Sequence, residues 1–510
     1  MKDQFDSGSE QDLNSTSNMP HSSSSSKGFF TFSNTVNGAA RGGARVAQTL
    51  NPSTKQPLWN IPVAIEDDVN DAVAAAGEAF ASWSRLAWAE RGAYLIRAKE
   101  ALVEIHDDMA NLIMQETGKP VSIIDTKEVD LSVRLLLYYA SHPKLETKVV
   151  SDNDELQVTV RYVPMGVVAA ICPFSDPLML AIGKLASALI TGNTVIVKPS
   201  PFAPYSILKF VDHIQSLFPP GVIQALNGDE KLGPLLVDHP KIQKISFTGS
   251  VEIGKKVMAA ASKTLKRVTL SLSGNGACIV CPDVDVSLVA PQVAAGAFLN
   301  SGQLCLANRR IYVHEDIYND FMQHLVDSVK LWKAGPAPSD TAILGPIQNE
   351  IRYKNVKDIF EDSQKNGYKF SLGSGSITDE KGFIIQPAII DNPPDDSRVV
   401  REEAFGPIVS LLLWKDEKEL ISRVNDTKAG LGASIWSGDI DRATAIGEQI
   451  ECGMITINRH PTPIPSGHLA GWKESGIGGE WGSEGLLSYC NMQTVHCYKM
   501  PVAPGSAEAD

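Results

Sequence analysis

A single thiol stands where covalent chemistry is plausible from sequence. Phe298 to Arg310 reads FLNSGQLCLANRR, so Cys305 follows a Gly-containing segment that can bend closely round a ligand, in a strand-to-helix setting. Its sulfur is a candidate nucleophile once deprotonated. An isolated cysteine also packs well as a small apolar side chain, so Cys305 alone decides nothing. Three further segments carry groups suited to a nucleotide. Val195 to Pro201 (VIVKPSP) puts Lys198 at the C-terminal end of an apolar strand pattern, where an ammonium can meet a ribose or phosphate. Phe247 to Lys256 (FTGSVEIGKK) sets a glycine and small hydroxyls between a strand and a helix. Free N–H groups and the helix dipole can hold a pyrophosphate there, although a full GxGxxG pattern is lacking and such turns also serve as plain architecture. Arg401 to Val409 (REEAFGPIV) brings together Glu403, able to grip a ribose, and Phe405, able to flank a ring.

Metal chemistry finds no support. Cys278 and Cys281 form a CxxC, but they lie in the apolar, strand-like ACIVC with no second ligand pair nearby, which reads as packed core. The histidines are scattered, without HExxH or comparable spacing.

Positioning the thiol and the nucleotide groups requires alternating strands and helices. Asp67 to Trp83 and Glu90 to Ile113 carry apolar residues at helical spacing. Residues 148 to 164 read as two extended pieces around a polar turn. From Gly166 the pattern alternates: strands at Gly166–Cys172, Thr194–Lys198, Val222–Leu226 and Ile242–Phe247, with helices at Leu178–Leu189, Pro204–Phe218 and Gly233–His239 between them. A second alternating block runs from about Val284 to Gly485. Such βαβ order implies two α/β domains with largely parallel sheets, whose ligands sit at strand C-termini.

Composition bounds the function. A chain of 510 residues is expected to divide into two or more domains. With 59 acidic against 46 basic residues the net charge is −13, a field that repels nucleic acid and anionic lipid. Seven cysteines suit no disulfide framework and fit a reducing compartment, so a cytoplasmic location is expected. The most apolar stretch, Met165 to Ile190, is broken by Pro173, Asp176, Pro177 and Lys184, which argues against a membrane span. Residues 1–27, including the serines 22–26, lack the apolar side chains that would offset ordering and are expected to be a disordered tail.

Taken in order, the segments FTGS, KPS, FxNxGQxCxAxxR, EExFGP and KxSGxGxExGxxGL (Lys473 to Leu486) resemble aldehyde dehydrogenases over about Phe30 to Val495, particularly the vanillin- or salicylaldehyde-dehydrogenase type. The resemblance implies the aldehyde dehydrogenase fold. Its parts would be a dinucleotide-binding domain (28–147 and 167–277), a catalytic domain (278–485) and oligomerisation strands (148–166 and 486–500) that build a homodimer or homotetramer. It also implies NAD or NADP as cofactor and an aldehyde as substrate. In the family mechanism a thiolate attacks the aldehyde, the adduct gives up hydride, and water releases the acid. Cys305 matches the nucleophile. Lys198, Ser200, Phe247, Gly249, Ser250, Glu403 and Phe405 match cofactor positions, and Phe174, Asp176, His460 and Leu469 fall at the substrate end.

Three positions depart from that pattern. CPFSDP places Ser175 where the family carries an oxyanion-binding asparagine, and Asp176 where it carries an apolar or aromatic side chain. LSLSG (Leu270 to Gly274) places Ser271 where it carries the glutamate base. HLAG (His468 to Gly471) replaces the usual PFGG, with Arg459 and His460 before it. Asp176, His460 or His468 could supply substitute acid–base groups. The departures leave open altered chemistry on the same scaffold: acyl transfer to CoA or another nucleophile, a reductive or non-redox reaction, or an impaired nucleotide-binding protein. Pro201, three residues after Lys198, stands where NAD-preferring relatives often carry a glutamate, which removes a charge that would repel a 2′-phosphate.

Overall fold

Continuous apolar runs such as VVAAI (Val167–Ile171) and TVIVK (Thr194–Lys198) are buried along their whole length. Strands covered on both faces must be so. The computed structural model describes residues 28–338, 342–373 and 381–499, so the expected tail at 1–27 lies outside the described residues.

An eight-stranded sheet runs Ala39–Arg41, Asn34–Val36, Ile223–Ala225, Thr194–Lys198, Val167–Ile171, Lys244–Thr248, Arg267–Ser271, Gly476–Ile477. Its five inner strands are parallel, and the edge pairings are antiparallel. Chain order reverses at Val167–Ile171: the next two strands add on one side, and Lys244–Thr248 and Arg267–Ser271 add on the other. That is a topological switch point, beyond whose strand ends a crevice opens. A seven-stranded sheet runs Lys369–Leu372, Ala388–Asp391, Ile408–Trp414, Asn308–His314, Gly276–Val280, Gly432–Trp436, Met454–Ile457, with antiparallel pairing at its first edge only. The architecture is α/β, with one core group on each face of each sheet.

The polar turn and flanking alternation at 148–164 form the hairpin Lys148–Asp152 and Leu156–Pro164, and Cys490–Tyr498 adds a third strand paired from Cys490 opposite Pro164 to Tyr498 opposite Leu156. Val149, Val150, Met492 and Tyr498 on this small sheet are exposed.

Three differences from the sequence reading have physical causes. Glu90 to Ile113 is two helices, Trp88–Glu104 and His106–Thr117, because Ile105 leaves helical geometry at φ −108°, ψ 19°. Cys305 lies in a helix-to-strand connection, between the helix Val286–Phe298 and the strand Asn308–His314, not in a strand-to-helix one. Gly476–Ile477, assigned with 278–485, completes the other sheet by pairing Leu270 with Ile477 and Ser271 with Gly476. Cys278 and Cys281 are fully buried and packed into the cores on opposite faces of one sheet. Among the described residues no helix is long and apolar enough to cross a membrane.

Candidate active site

The crevice predicted by the switch point exists. A cleft of about 1300 Å³ lies beyond the C-terminal ends of the inner strands, larger than the ~300–1,000 Å³ typical of small-ligand sites. Its wall includes Phe174, Ser175, Lys198, Ser200, Phe247, Gly249, Ser250, Cys305, Glu403 and Phe405. Residues read from five separate segments thus meet in one place.

Left-handed backbone presents the thiol. Asn300 (φ 54°), Ser301 (φ 53°) and Gly302 (φ 69°) turn the chain sharply after the helix. Asn and Gly tolerate that region; Ser301 is held in it. Ser301 Oγ donates to the Gly345 carbonyl, Gln303 Nε2 donates to the Pro346 carbonyl at 3.0 Å, and Gln303 Oε1 accepts from the Gln348 amide at 2.8 Å. Behind the sulfur, Leu306, Leu431 and Leu469 form a small apolar cluster against which Cys305 packs. Burial, then the charges of Glu403 and Asp176, push the Cys305 thiol up to about 12, while the Cys305 and Leu306 amides favour the thiolate.

The residues matched to cofactor positions line one cleft together. Lys198 is buried on the cleft wall, with its Nζ donating at 3.1 Å to the Pro199 carbonyl, and burial lowers its ammonium to about 8. A group so desolvated is stabilised by an anionic or hydroxyl partner. Ser250 caps the helix Val251–Ala261, accepting from the Ile253 amide at 3.3 Å. A Cβ on Gly249 would lie 2.5 Å from the Phe247 ring, so the turn requires glycine. Glu403 is held by the Gly274 amide, which donates to Oε1 at 3.0 Å; burial raises its carboxyl, opposed by Gly274, Arg309 and Arg352. Phe405, at φ 48°, meets Phe174 edge-on at 5.8 Å and the Arg352 guanidinium at 5.2 Å.

Five other sequence-chosen residues lie outside the cleft wall. Ser271 ends its strand opposite Thr248 and Gly476, and its carbonyl accepts from the Gly249 amide at 3.1 Å. His460 packs on Gly296, with Thr462 Oγ1 3.2 Å from its Nδ1. Leu469 belongs to the cluster behind Cys305. Asp176 pairs at 2.7 Å with Lys119 Nζ, which also donates to Glu128 at 2.6 Å. His468, the other candidate acid–base group, packs on Gly479.

Sequence reasoning missed that Lys119–Glu128 pair, and it missed Arg309. The Arg309 guanidinium, 3% exposed, donates to the Gly406 carbonyl at 2.6 Å and acts on Glu403. It missed as well the buried pair of Lys184 and Glu480, 2.6 Å apart, which ties the helix Pro177–Ile190 to the C-terminal region. The only available signal was charge inside otherwise apolar stretches.

The sequence profile of the aldehyde dehydrogenase family matches residues 40–495. Aldehyde dehydrogenase LUC3 of Fusarium sp. is 39% identical over 473 residues, covering 92% of this chain and all of the relative. The NAD+ complex of aldehyde dehydrogenase from Bacillus cereus superimposes with a TM-score of 0.89 at 29% identity, over 92% of this chain and 97% of that one. An E. coli NADP-dependent enzyme superimposes equally, with a TM-score of 0.89 at 28% identity, over 92% of this chain and 98% of that one.

Proposed function

The chain belongs to the aldehyde dehydrogenase family, and on that premise we propose that it oxidises an aldehyde with NAD or NADP through a covalent adduct on Cys305, in an active site of unusual composition. The observation that carries the reading is the meeting of Cys305 with Lys198, Ser250 and Glu403 on one cleft wall.

The cleft suits a nicotinamide dinucleotide. Its volume is sufficient, Lys198 offers a desolvated cation, the helix Val251–Ala261 points its N-terminus at the wall, and Glu403 offers a carboxylate beside Phe405. Lys198, Ser200 and Ser250 would hold the adenosine and pyrophosphate end, with Phe247 and Gly249 shaping the turn; Glu403 and Phe405 would hold the nicotinamide end. Pro201 on the wall brings no carboxylate near the ribose, so NADP is accepted alongside NAD. When bound, the nicotinamide ring accepts the hydride.

The chain's own residues do the rest. The Cys305 and Leu306 amides face the sulfur and favour its thiolate, which attacks the aldehyde carbon. Ser175, buried on the wall, offers a hydroxyl toward the developing oxyanion in place of an amide donor. The thioester left after hydride departure then needs water, and Ser271, a serine turned into a strand end, supplies no base for it. We read 28–147 with 167–277 as the cofactor-binding part, 278–485 as the catalytic part, and 148–166 with 486–500 as strands joining a second copy.

Pre-steady-state turnover tests this. Reduced cofactor is expected as a burst near one equivalent per site, then slow turnover, and Cys305→Ala abolishes the burst. A panel of aromatic and aliphatic aldehydes giving neither burst nor adduct with either cofactor overturns the reading. Faster steady turnover on adding CoA would favour acyl transfer to a thiol instead.

A further inference from the structure

Asp176 occupies the N-cap of the helix Pro177–Ile190, yet its side chain makes no capping bond. Aspartate is among the best N-caps, because its oxygen can satisfy an orphan N–H of the first turn. Here Glu128 does that work from another helix, accepting from the Leu178 amide at 3.0 Å with Oε1. The Asp176 carboxylate is turned away and pinned through Oδ1 by Lys119 at 2.7 Å, and Lys119 is itself held at 2.6 Å by the second oxygen of Glu128. Lys119 and Glu128 are 2% and 1% exposed, while Asp176 keeps 16% exposure. No hydrogen bond to Asp176 Oδ2 is formed among the described residues.

Resting on the covalent reading of Cys305, we propose that Asp176 is the general base that activates the water releasing the acyl group, with Lys119 and Glu128 as positioning residues. Asp176 is outside the cleft wall but directly follows Ser175, which is on it, and its charge acts on the Cys305 thiol alongside that of Glu403. Glu403 accepts from the Gly274 amide at 3.0 Å and is acted on by the charges of Arg309 and Arg352. His460 and His468 pack elsewhere. In the step, Asp176 Oδ2 accepts a proton from water as the water oxygen bonds to the thioester carbonyl carbon. The C–S bond then breaks, sulfur leaves as thiolate, and the carboxylic acid forms. The ionisable groups facing Asp176 are Lys119, Glu128 and Cys305, and Glu128 also acts on Glu116.

p-Nitrophenyl acetate acylates a reactive cysteine without any cofactor, and intact mass spectrometry follows the acetyl adduct. In Asp176→Asn, acylation is expected to persist while adduct lifetime lengthens on the order of a hundredfold, the lower end of general-base contributions. Asp176→Glu restores hydrolysis, and hydroxylamine, which attacks without a base, clears the adduct equally from all three proteins. An Asp176→Asn adduct decaying within about threefold of the unmodified protein overturns the proposal. So does hydroxylamine release slowed as much as hydrolysis, which marks a packing effect. If Asp176→Asn does not fold, D2O replaces the variant: hydrolysis by the unmodified protein slows and hydroxylamine release does not, and equal slowing overturns the proposal. Absence of any Cys305 adduct on the unmodified protein instead defeats the covalent reading itself.

Discussion

Neutralising Glu403 should make Cys305 more reactive, not less. The thiol is pushed up to about 12 by burial and then by Glu403, so at pH 8 only about one sulfur in 10⁴ is thiolate. Glu403→Gln keeps an oxygen to accept from the Gly274 amide, which now donates at 3.0 Å, and so removes the charge with little change of shape. An adjacent charge shifts a thiol by about one unit at the low end, which raises the thiolate about tenfold. Lower basicity costs intrinsic nucleophilicity with a slope of about 0.4–0.5, giving back about threefold. The net expectation is alkylation about threefold faster at pH 8. Iodoacetamide labelling without cofactor, read at the Cys305 peptide by mass spectrometry from pH 6 to 10, measures it. Exposed Cys497 serves as a reference whose rate should not move. Unchanged or slower labelling at Cys305 would refute the claim that this carboxylate holds the thiol protonated.

Two stability predictions follow from the buried charges. Burial pushes Glu116 up to about 8 and Glu128 up to about 7, so the folded protein holds these protons more tightly than the unfolded chain. Their contribution is fully present below the ordinary carboxyl value of 4.5 and is lost as pH rises through about 7 to 8, so Glu116→Gln should lose less thermal stability than the unmodified protein between pH 6 and 8.5. Lys184→Met strands the Glu480 carboxylate, whose side chain is 5% exposed, and should cost about 3–5 kcal/mol in denaturant unfolding, with part regained on adding Glu480→Gln. A single-variant loss below about 1 kcal/mol would show that the pair does not hold this region.

Much of the scaffold was legible because its strands are uninterrupted apolar runs: VVAAI, TVIVK and KISFT admit little but buried sheet. The cleft was legible for a different reason, since Lys198, Ser250, Cys305 and Glu403 each follow or approach a strand end, where topology must collect them. The hidden parts share a cause. Lys119 lies in the turn after the helix His106–Thr117 and Glu128 in the helical turn Asp125–Val129, and nothing in the sequence says which inward charge meets which. Arg309 lies beside Arg310 in a strand buried along most of its length, and only packing reveals that its guanidinium bonds the Gly406 carbonyl and that its charge acts on Glu403. Gly476–Ile477 is too short and glycine-rich to announce a strand.

That short strand carries a consequence for synthesis. As the nascent chain leaves the ribosome, Arg267–Ser271 emerges with an open edge, and Lys184 enters the interior without its counter-ion. Both wait for Gly476–Ile477 and Glu480, made about two hundred residues after Arg267–Ser271. The first sheet therefore cannot finish until Gly476 and Ile477 have been made. A transcript truncated before residue 476 would release a chain with an unpaired strand edge and an uncompensated buried ammonium, a substrate for chaperones and proteases and not a smaller working enzyme.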